Sequence, residues 1–284
     1  MSQKFLPFLA LLAVLTSCNK SESLVPVTVH LSGFTIDQED FPSTKTTEAP
    51  ADYEAINALT LAFYKGSTEV EKITQLRAGA SSFGTFSLSL PCDSYTLVAV
   101  AHTTKEESPF VLTSPTEAAY TGAHAYDTFV CTQPVSISTT SAVNIEATLD
   151  RIVSQLKVVS SDGKTADVTN VRMTLSAGGR SFNPTTGLAT SDTGFSNTVG
   201  NSATVGSHST SSTVFFLSSD EQTMDVTIET LDAQGHTLST TTVNNVTFKR
   251  NRVTKLTGPM YTNSSVGSSF LLNTDWLTET TVNF

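Results

Sequence analysis

Tryptophan occurs once in this 284-residue chain, cysteine three times, and charged side chains make up only 15% of it. Each scarcity excludes something. A single tryptophan, Trp276, cannot build the multi-ring platform on which sugars commonly stack. Sparse charge, with few of the Glu, Lys, Ala and Leu residues that long helices use, argues against a helical or coiled-coil protein. The 16 basic residues are outnumbered by 26 acidic ones, for a net charge of −10, and they form no basic stripe, so nucleic acid is not an expected partner. No apolar run reaches the roughly 20 residues of a membrane-spanning helix. Catalytic signatures are also missing. There is no His-Glu-x-x-His, Cys-x-x-Cys, Gly-x-Ser-x-Gly or phosphate-binding glycine loop. The histidines His30, His102, His124, His208 and His236 are scattered. No enzyme activity and no cofactor are expected.

What is present begins at the N-terminus. An apolar run from Phe5 to Leu15 is followed by Leu15-Thr16-Ser17-Cys18. The run has the length of a secretory signal, and small residues at 16 and 17 suit cleavage just before Cys18. The expectation is a signal peptide over 1–17 and a mature chain that starts at a lipid-bearing Cys18 and sits on the outer membrane at the cell surface. Two cysteines then remain, Cys92 and Cys131. In an exported protein they read either as a disulfide or as two buried thiols, and spacing alone does not choose between these.

The dominant period is two, the signature of half-buried strands. Val25, Val27, Val29 and Leu31 alternate with polar residues. So do Phe86, Leu88 and Leu90, and again Met224, Val226 and Ile228. Residues 95–101 are apolar at nearly every position, as a strand buried on both faces would be. Thr and Val enrichment agrees with strands. Only residues 50–58 suggest a helical turn. The polar stretch 33–53, with Pro42, Lys45 and Pro50, reads as a loop, and the Ser/Thr/Gly-rich 185–212 as a long loop or an irregular edge.

Between residues 142 and 160 the apolar parity changes. Val143, Ile145, Ala147 and Leu149 share one phase and Ile152, Leu156 and Val158 the other, with the switch at Asp150-Arg151. A one-residue slip turns side chains to the opposite face, so either a bulge lies here or the chain leaves one core for another. Charge changes at the same place. Residues 19–148 hold 6 basic and 15 acidic side chains (6 − 15 = −9), and residues 149–284 hold 9 and 11 (9 − 11 = −2). This favours two units, 18–148 and 149–284, each with several short strands as in a β-sandwich. Of the charged clusters, Asp37 to Asp40 lacks the spacing of a calcium loop. Lys249, Arg250, Arg252 and Lys255 read either as a patch for an anionic partner or as a solvated strand edge.

Several short motifs occur in a familiar order. Leu90-Pro91-Cys92-Asp93-Ser94-Tyr95-Thr96-Leu97 resembles the Leu-Pro-Gly-x-Tyr-x-Leu segment of Bacteroidales fimbrillin-type proteins, with Cys92 in place of the usual glycine. Leu149-Asp150-Arg151-Ile152-Val153 resembles the opening of their second domain. Asn251-Arg-Val-Thr254-Lys-Leu256-Thr-Gly258 and Asp275-Trp276 resemble elements near their C-terminus. The resemblance covers most of residues 24–284. It implies an all-β protein of two tandem transthyretin-like β-sandwich domains, a lipoprotein precursor whose partners are other fimbrial subunits.

Polymerising members of that family lose their first strand to a protease that cuts after a basic residue. A neighbour's strand then fills the groove by pairing at a sheet edge. The corresponding parts here would be the first strand with Val25, Val27, Val29 and Leu31, a candidate processing position at Lys45, and a tail strand with Trp276, Val282 and Phe284. Lys45 is not an arginine, and the first arginine after Cys18 is Arg77. That favours a subunit which keeps both its first strand and its lipid, as the family's anchor or minor components do. The competing expectation is a surface lipoprotein that binds a host or glycan ligand.

Overall fold

The computed structural model describes residues 23–38, 44–138, 141–262 and 271–273, and for 34–38, 44–48 and 271–273 the backbone only. Its strands are β1 (Leu24–Gln38), β2 (Thr44–Glu48), β3 (Ala58–Lys65), β4 (Thr68–Leu76), β5 (Thr85–Pro91), β6 (Asp93–His102), β7 (Phe110–Ser114), β8 (Glu117–Tyr120), β9 (Thr128–Ile137) and β10 (Val143–Arg151). They continue with β11 (Ser154–Ser160), β12 (Asn170–Leu175), β13 (Ser181–Asn183), β14 (Leu188–Ala189), β15 (Phe195–Gly200), β16 (Thr210–Phe215), β17 (Glu221–Leu231), β18 (Thr237–Lys249), β19 (Val253–Gly258) and β20 (Leu271–Asn273). The protein is all-β. Among the described residues the one helical piece is a 3₁₀ turn at Arg77–Gly79. The helical turn expected within 50–58 is instead a pair of hydrogen-bonded turns, Asp52 N–H to Ala49 O and Ile56 N–H to Tyr53 O.

The first sheet runs β2-β1-β10-β9-β6-β3-β4, with β5 also on β1. It closes over itself because β9 and β10 pair only at Asp150↔Val130 and Arg151↔Phe129. Beyond those pairs the two strands diverge into opposing layers. The layers clasp a core in which Val25, Val27, Val29, Leu31, Phe86 and Ile145 meet Leu59, Leu61, Phe63, Leu97 and Phe129. β6 lies between β3 and β9, and Leu97 to Ala101 are buried on both faces because Leu97, Ala99 and Ala101 pack into this core while Val98 and Val100 pack into a separate cluster on the other face.

The later strands repeat this logic. β16-β11-β19-β20 and β15-β12-β17-β18 form two further sheets around Leu156, Val158, Met173, Phe215, Val226, Phe248 and Leu256. β1 is parallel to β10 and antiparallel to β5, and β11 is likewise parallel to β19 and antiparallel to β16. In each set the opening strand thus pairs in parallel with one near the end of the set, and β20 adds antiparallel to β19 in the second.

The parity switch at Asp150-Arg151 lies at the end of β10. Leu149 belongs to the first core and Leu156 to the second. Ile152 and Val153 fall in a third cluster with Tyr64, Val98, Val100, Leu112, Tyr120, Phe182 and Phe216. A fourth sheet, β14-β13-β8-β7, covers that cluster and draws strands from both sides of residue 149, with Ser181↔Ala119 and Phe182↔Ala118 in register.

The loop expected over 33–53 is corrected, and 185–212 takes the second of its two readings, with β15 and β16 at the edges of their sheets. Residues 33–53 are largely paired: β1 continues to Gln38 and β2 returns along it, Phe34↔Glu48 through Gln38↔Thr44. A register shift falls between Leu31 and Gly33, and the pairing of β1 with β10 resumes beyond it through Thr35↔Asp150. Residues 185–212 contain β14, β15 and the start of β16. There, buried Asn197 takes an inward position and donates from Nδ2 to Thr213 Oγ1 at 2.8 Å. A polar side chain at a core position hides the period.

Candidate functional site

The strand-exchange candidates come together in one strand. In β1, Val25, Val27, Val29 and Leu31 are all no more than 5% exposed. On one edge the backbone from Leu24 to His30 pairs antiparallel with β5, and on the other Val27 to Thr35 pairs parallel with β10. The strand therefore fills a groove whose two walls are backbone and whose floor is the first core. The polar parity faces out, and His30 Nδ1 lies 3.2 Å from Thr85 Oγ1. Trp276, Val282 and Phe284, and Cys18 at the other end, lie outside the described residues.

Lys45 sits within β2, its backbone opposite Asp37, and not in an open loop. Arg77 is occupied. Its guanidinium donates to four carbonyls, Ile56 from Nε, Ala51 from Nη1, and Pro50 and Tyr53 from Nη2, at 2.7–2.9 Å. It also lies 4.4 Å over the Phe83 ring. It holds the Pro50–Ile56 turns in place.

Cys92 and Cys131 do not bridge each other. Cys131 lies opposite Ala99, seven residues beyond Cys92. At about 3.3 Å per strand residue the two are on the order of 20 Å apart, far beyond disulfide reach. Cys92 is exposed, and burial pushes the Cys131 thiol up, with Asp150 adding to the effect.

Sequence reasoning missed the junction. Arg151, where the parity changes, donates from Nε to Asp127 Oδ1 and from Nη2 to Asp127 Oδ2. Asp127 Oδ2 also accepts from the Tyr53 hydroxyl at 2.7 Å, and Arg151 stacks 4.8 Å from the Phe129 ring centre. Behind it lies a cleft of about 670 Å³ lined by Cys131, Asp150, Arg151, Arg250 and Asn251 among others, with no aromatic ring in its wall. Much of the basic cluster at its rim is paired: Lys249 with Glu221 at 3.1 Å and Arg250 with Asp220 at 2.8 Å. Arg250 also donates to Thr186 O.

Asn251 has a physical reason to be asparagine. Its φ is +60°, a left-handed conformation that asparagine tolerates better than most residues. Its N–H donates to Val153 O at 2.7 Å, so the β18–β19 turn is fastened to the start of β11. Three residues on, Thr254 bonds Thr247 O, and Leu256 is fully buried.

The other histidines are structural or solvated. His102 is 3% exposed, its Nε2 lies 3.0 Å from Thr60 Oγ1, and its ring lies 4.0 Å from that of Phe110. Burial lowers its pKa from 6.5 to about 3. Among the described residues no three His, Cys, Asp or Glu side chains converge as a metal site, and no helix is long and apolar enough to cross a membrane.

Comparison with solved structures finds similar folds in other bacterial proteins. The fimbrial anchor protein Mfa2 from Porphyromonas gingivalis superposes with a TM-score of 0.51 at 11% identity, over 88% of this chain and 95% of that one. A candidate adhesin from Bacteroides ovatus gives 0.51 at 10% identity, over 89% and 96%. A second from the same species gives 0.51 at 10%, over 79% and 83%. At such identities the likeness is one of fold. No curated protein matches the chain in sequence. A family model matches residues 25–282, and the chain belongs to that family, DUF6562, a family of unknown function.

Proposed function

We propose that this protein is a structural subunit of a cell-surface fimbrium, an anchor or minor component that retains its first strand and is held at the outer membrane by lipid on Cys18. The observation that carries this reading is the seating of β1. Removing it would strip four side chains, each at most 5% exposed, from the core and open two backbone ladders at once. The nearby basic residues are poorly placed for cutting: Lys45 is in a paired strand, and Arg77 spends its donors on four carbonyls. In this reading the units 18–148 and 149–284 are two domains. Other fimbrial subunits are the partners, added strand to sheet edge, with the tail containing Trp276, Val282 and Phe284 as the donor side.

The test is the N-terminus of the mature protein recovered from the cell surface. A lipid-modified Cys18 is expected. A mature chain that starts within residues 33–53, or just after Arg77, would overturn the anchor assignment. Deletion of the gene should change fibre length or attachment. Binding on a glycan array with fibres unchanged would move the assignment to a glycan-binding surface lipoprotein.

A further inference from the structure

The direction of β1 relative to its neighbours has a mechanical consequence. β1 and β10 are parallel, with Val27 opposite Val143 at one end and Thr35 opposite Asp150 at the other. The covalent path into the rest of the protein leaves from the far end, through Arg151 into β11 at Ser154. A pull on the chain ahead of Leu24 therefore acts along β1, while the body is held at the opposite end of the same ladder. We propose that β1 is a shear-loaded clamp, so that load-bearing is a further function of this fold.

In this geometry eight backbone positions paired with β10 and seven paired with β5 are strained together. None can open without the others. In the opposite geometry, with both pulls at the same end, the pairs would open singly, in succession. Side chains add to the resistance. A slip by one residue would turn Val25, Val27, Val29 and Leu31 out of the core, because strand side chains alternate. A slip by two would drag each through its neighbour's packed position.

The later half repeats the parallel pairing. Force entering β11 at Ser154 meets a parallel partner, β19, whose ladder runs from Gln155↔Val253 to Ser160↔Gly258, and β19 is paired in turn by antiparallel β20 over Thr257↔Leu271 to Lys255↔Asn273. β11 is flanked on its other edge by β16 over Ser154↔Phe215 to Val159↔Thr210. The β1–β10 ladder is the one that tension loads lengthwise from its two opposite ends.

The proposal rests on the tethered-subunit reading only for the origin of the tension, and the clamp can be tested without any lipid. The chain from residue 19 to residue 284 is held in an optical trap by handles at its two ends. A second version carries one handle at the N-terminus and the other on a tag inserted after exposed Ser138, beside the Val27↔Val143 end of the ladder. Forced unfolding reads the unfolding rate under load. At equal loading rate the end-to-end pull should rupture at several-fold higher force than the Ser138 pull. Equal forces, or a weaker end-to-end pull, would overturn the clamp. A strong clamp in a chain later found without lipid on Cys18 would leave the mechanics standing and remove the anchor assignment instead.

Discussion

Arg151 and Asp127 face each other through two parallel hydrogen bonds, Nε to Oδ1 and Nη2 to Oδ2, each 2.9 Å long. Both side chains are about four-fifths buried, at 20% and 22% exposure, and both are contacted by Tyr53. The pair stands where β9 and β10 make their only two backbone pairs before separating into opposite layers. It ties this corner of the first sheet to the turn ahead of β3. A fork of this kind fixes geometry as well as adding energy.

Replacing Asp127 with Ala leaves the Arg151 guanidinium without its carboxylate in a largely closed site. Charged hydrogen bonds of this type contribute roughly 1.5–3 kcal/mol, and a loss of that order is expected in urea unfolding. Tyr53→Phe should cost less. A double-mutant cycle between Asp127→Ala and Tyr53→Phe should show coupling, since both act on one carboxylate. Strict additivity would mean that the three groups do not form one network.

Stability should fall on mild acidification, and His102 sets the window. Its folded pKa, about 3, lies below the 6.5 of an exposed imidazole because burial disfavours the cation. Between those values the unfolded chain binds a proton that the folded one refuses. The histidine's contribution is therefore complete above about pH 6.5 and is lost as pH drops toward 3, at about 1.4 kcal/mol per unit. The groups that face it are Thr60, Phe110 and the Thr103 backbone; none carries a negative charge, and the Thr103 hydrogen bond only partly counters the burial. Two carboxyls add to the loss only lower down. Burial raises the Asp162 carboxyl, but the N–H groups of Met260, Tyr261 and Thr262 outweigh this and hold it below its usual range. The Arg172 guanidinium lowers that of Glu229. Thermal melts from pH 7.5 to 5 should decline for the native protein and flatten for His102→Asn. A native melting curve independent of pH over that range would refute the assignment.

Gly187 should not tolerate a side chain. Its φ is +71°, and a Cβ there would lie 2.7 Å from Ile152 Cγ2 and 2.9 Å from Arg250 Nη1. Arg250 can swing aside, but Ile152 is 2% exposed in the third core and cannot. Gly187→Ala should cost on the order of 1–3 kcal/mol, from backbone strain and overpacking together. Gly235 has a similar φ of +85° but open space around it. Gly235→Ala should therefore cost less, and differential scanning calorimetry of the two variants separates packing from conformational strain. Equal losses would show that contact with Ile152 is unimportant.

The thiols should remain unlinked to each other under oxidising conditions. Non-reducing peptide mapping should find no peptide joining Cys92 to Cys131. Alkylation should modify exposed Cys92 before Cys131, which is partly buried and whose thiol is held protonated by that burial. A 92–131 cross-linked peptide would contradict the β6–β9 register.

The core residues were legible because alternation is a local signal. Val25 to Leu31, Phe86 to Leu90 and Met224 to Ile228 point inward as their phase requires. Legibility failed where inward positions were polar, as at Asn197, or where a glycine interrupted the run, as at Gly33. It failed too where a charge was satisfied by a distant partner. Nothing near Arg151 in the sequence announces Asp127, and nothing near Arg77 announces the four carbonyls it holds.

Composition and periodicity alone determined that this chain is all-β, that its apolar phase changes at Asp150-Arg151, and which side chains of its regularly alternating strands enter a core. These follow from the fixed two-residue repeat of a strand. The tertiary structure alone decided the rest. It separated Cys92 from Cys131, drew β8 and β13 into one sheet across the phase change, and set β1 parallel to β10 with the exit at the far end. Strand order and direction depend on which backbone groups meet across long stretches of chain. Pairing of that kind leaves no periodic trace in the residues that make it.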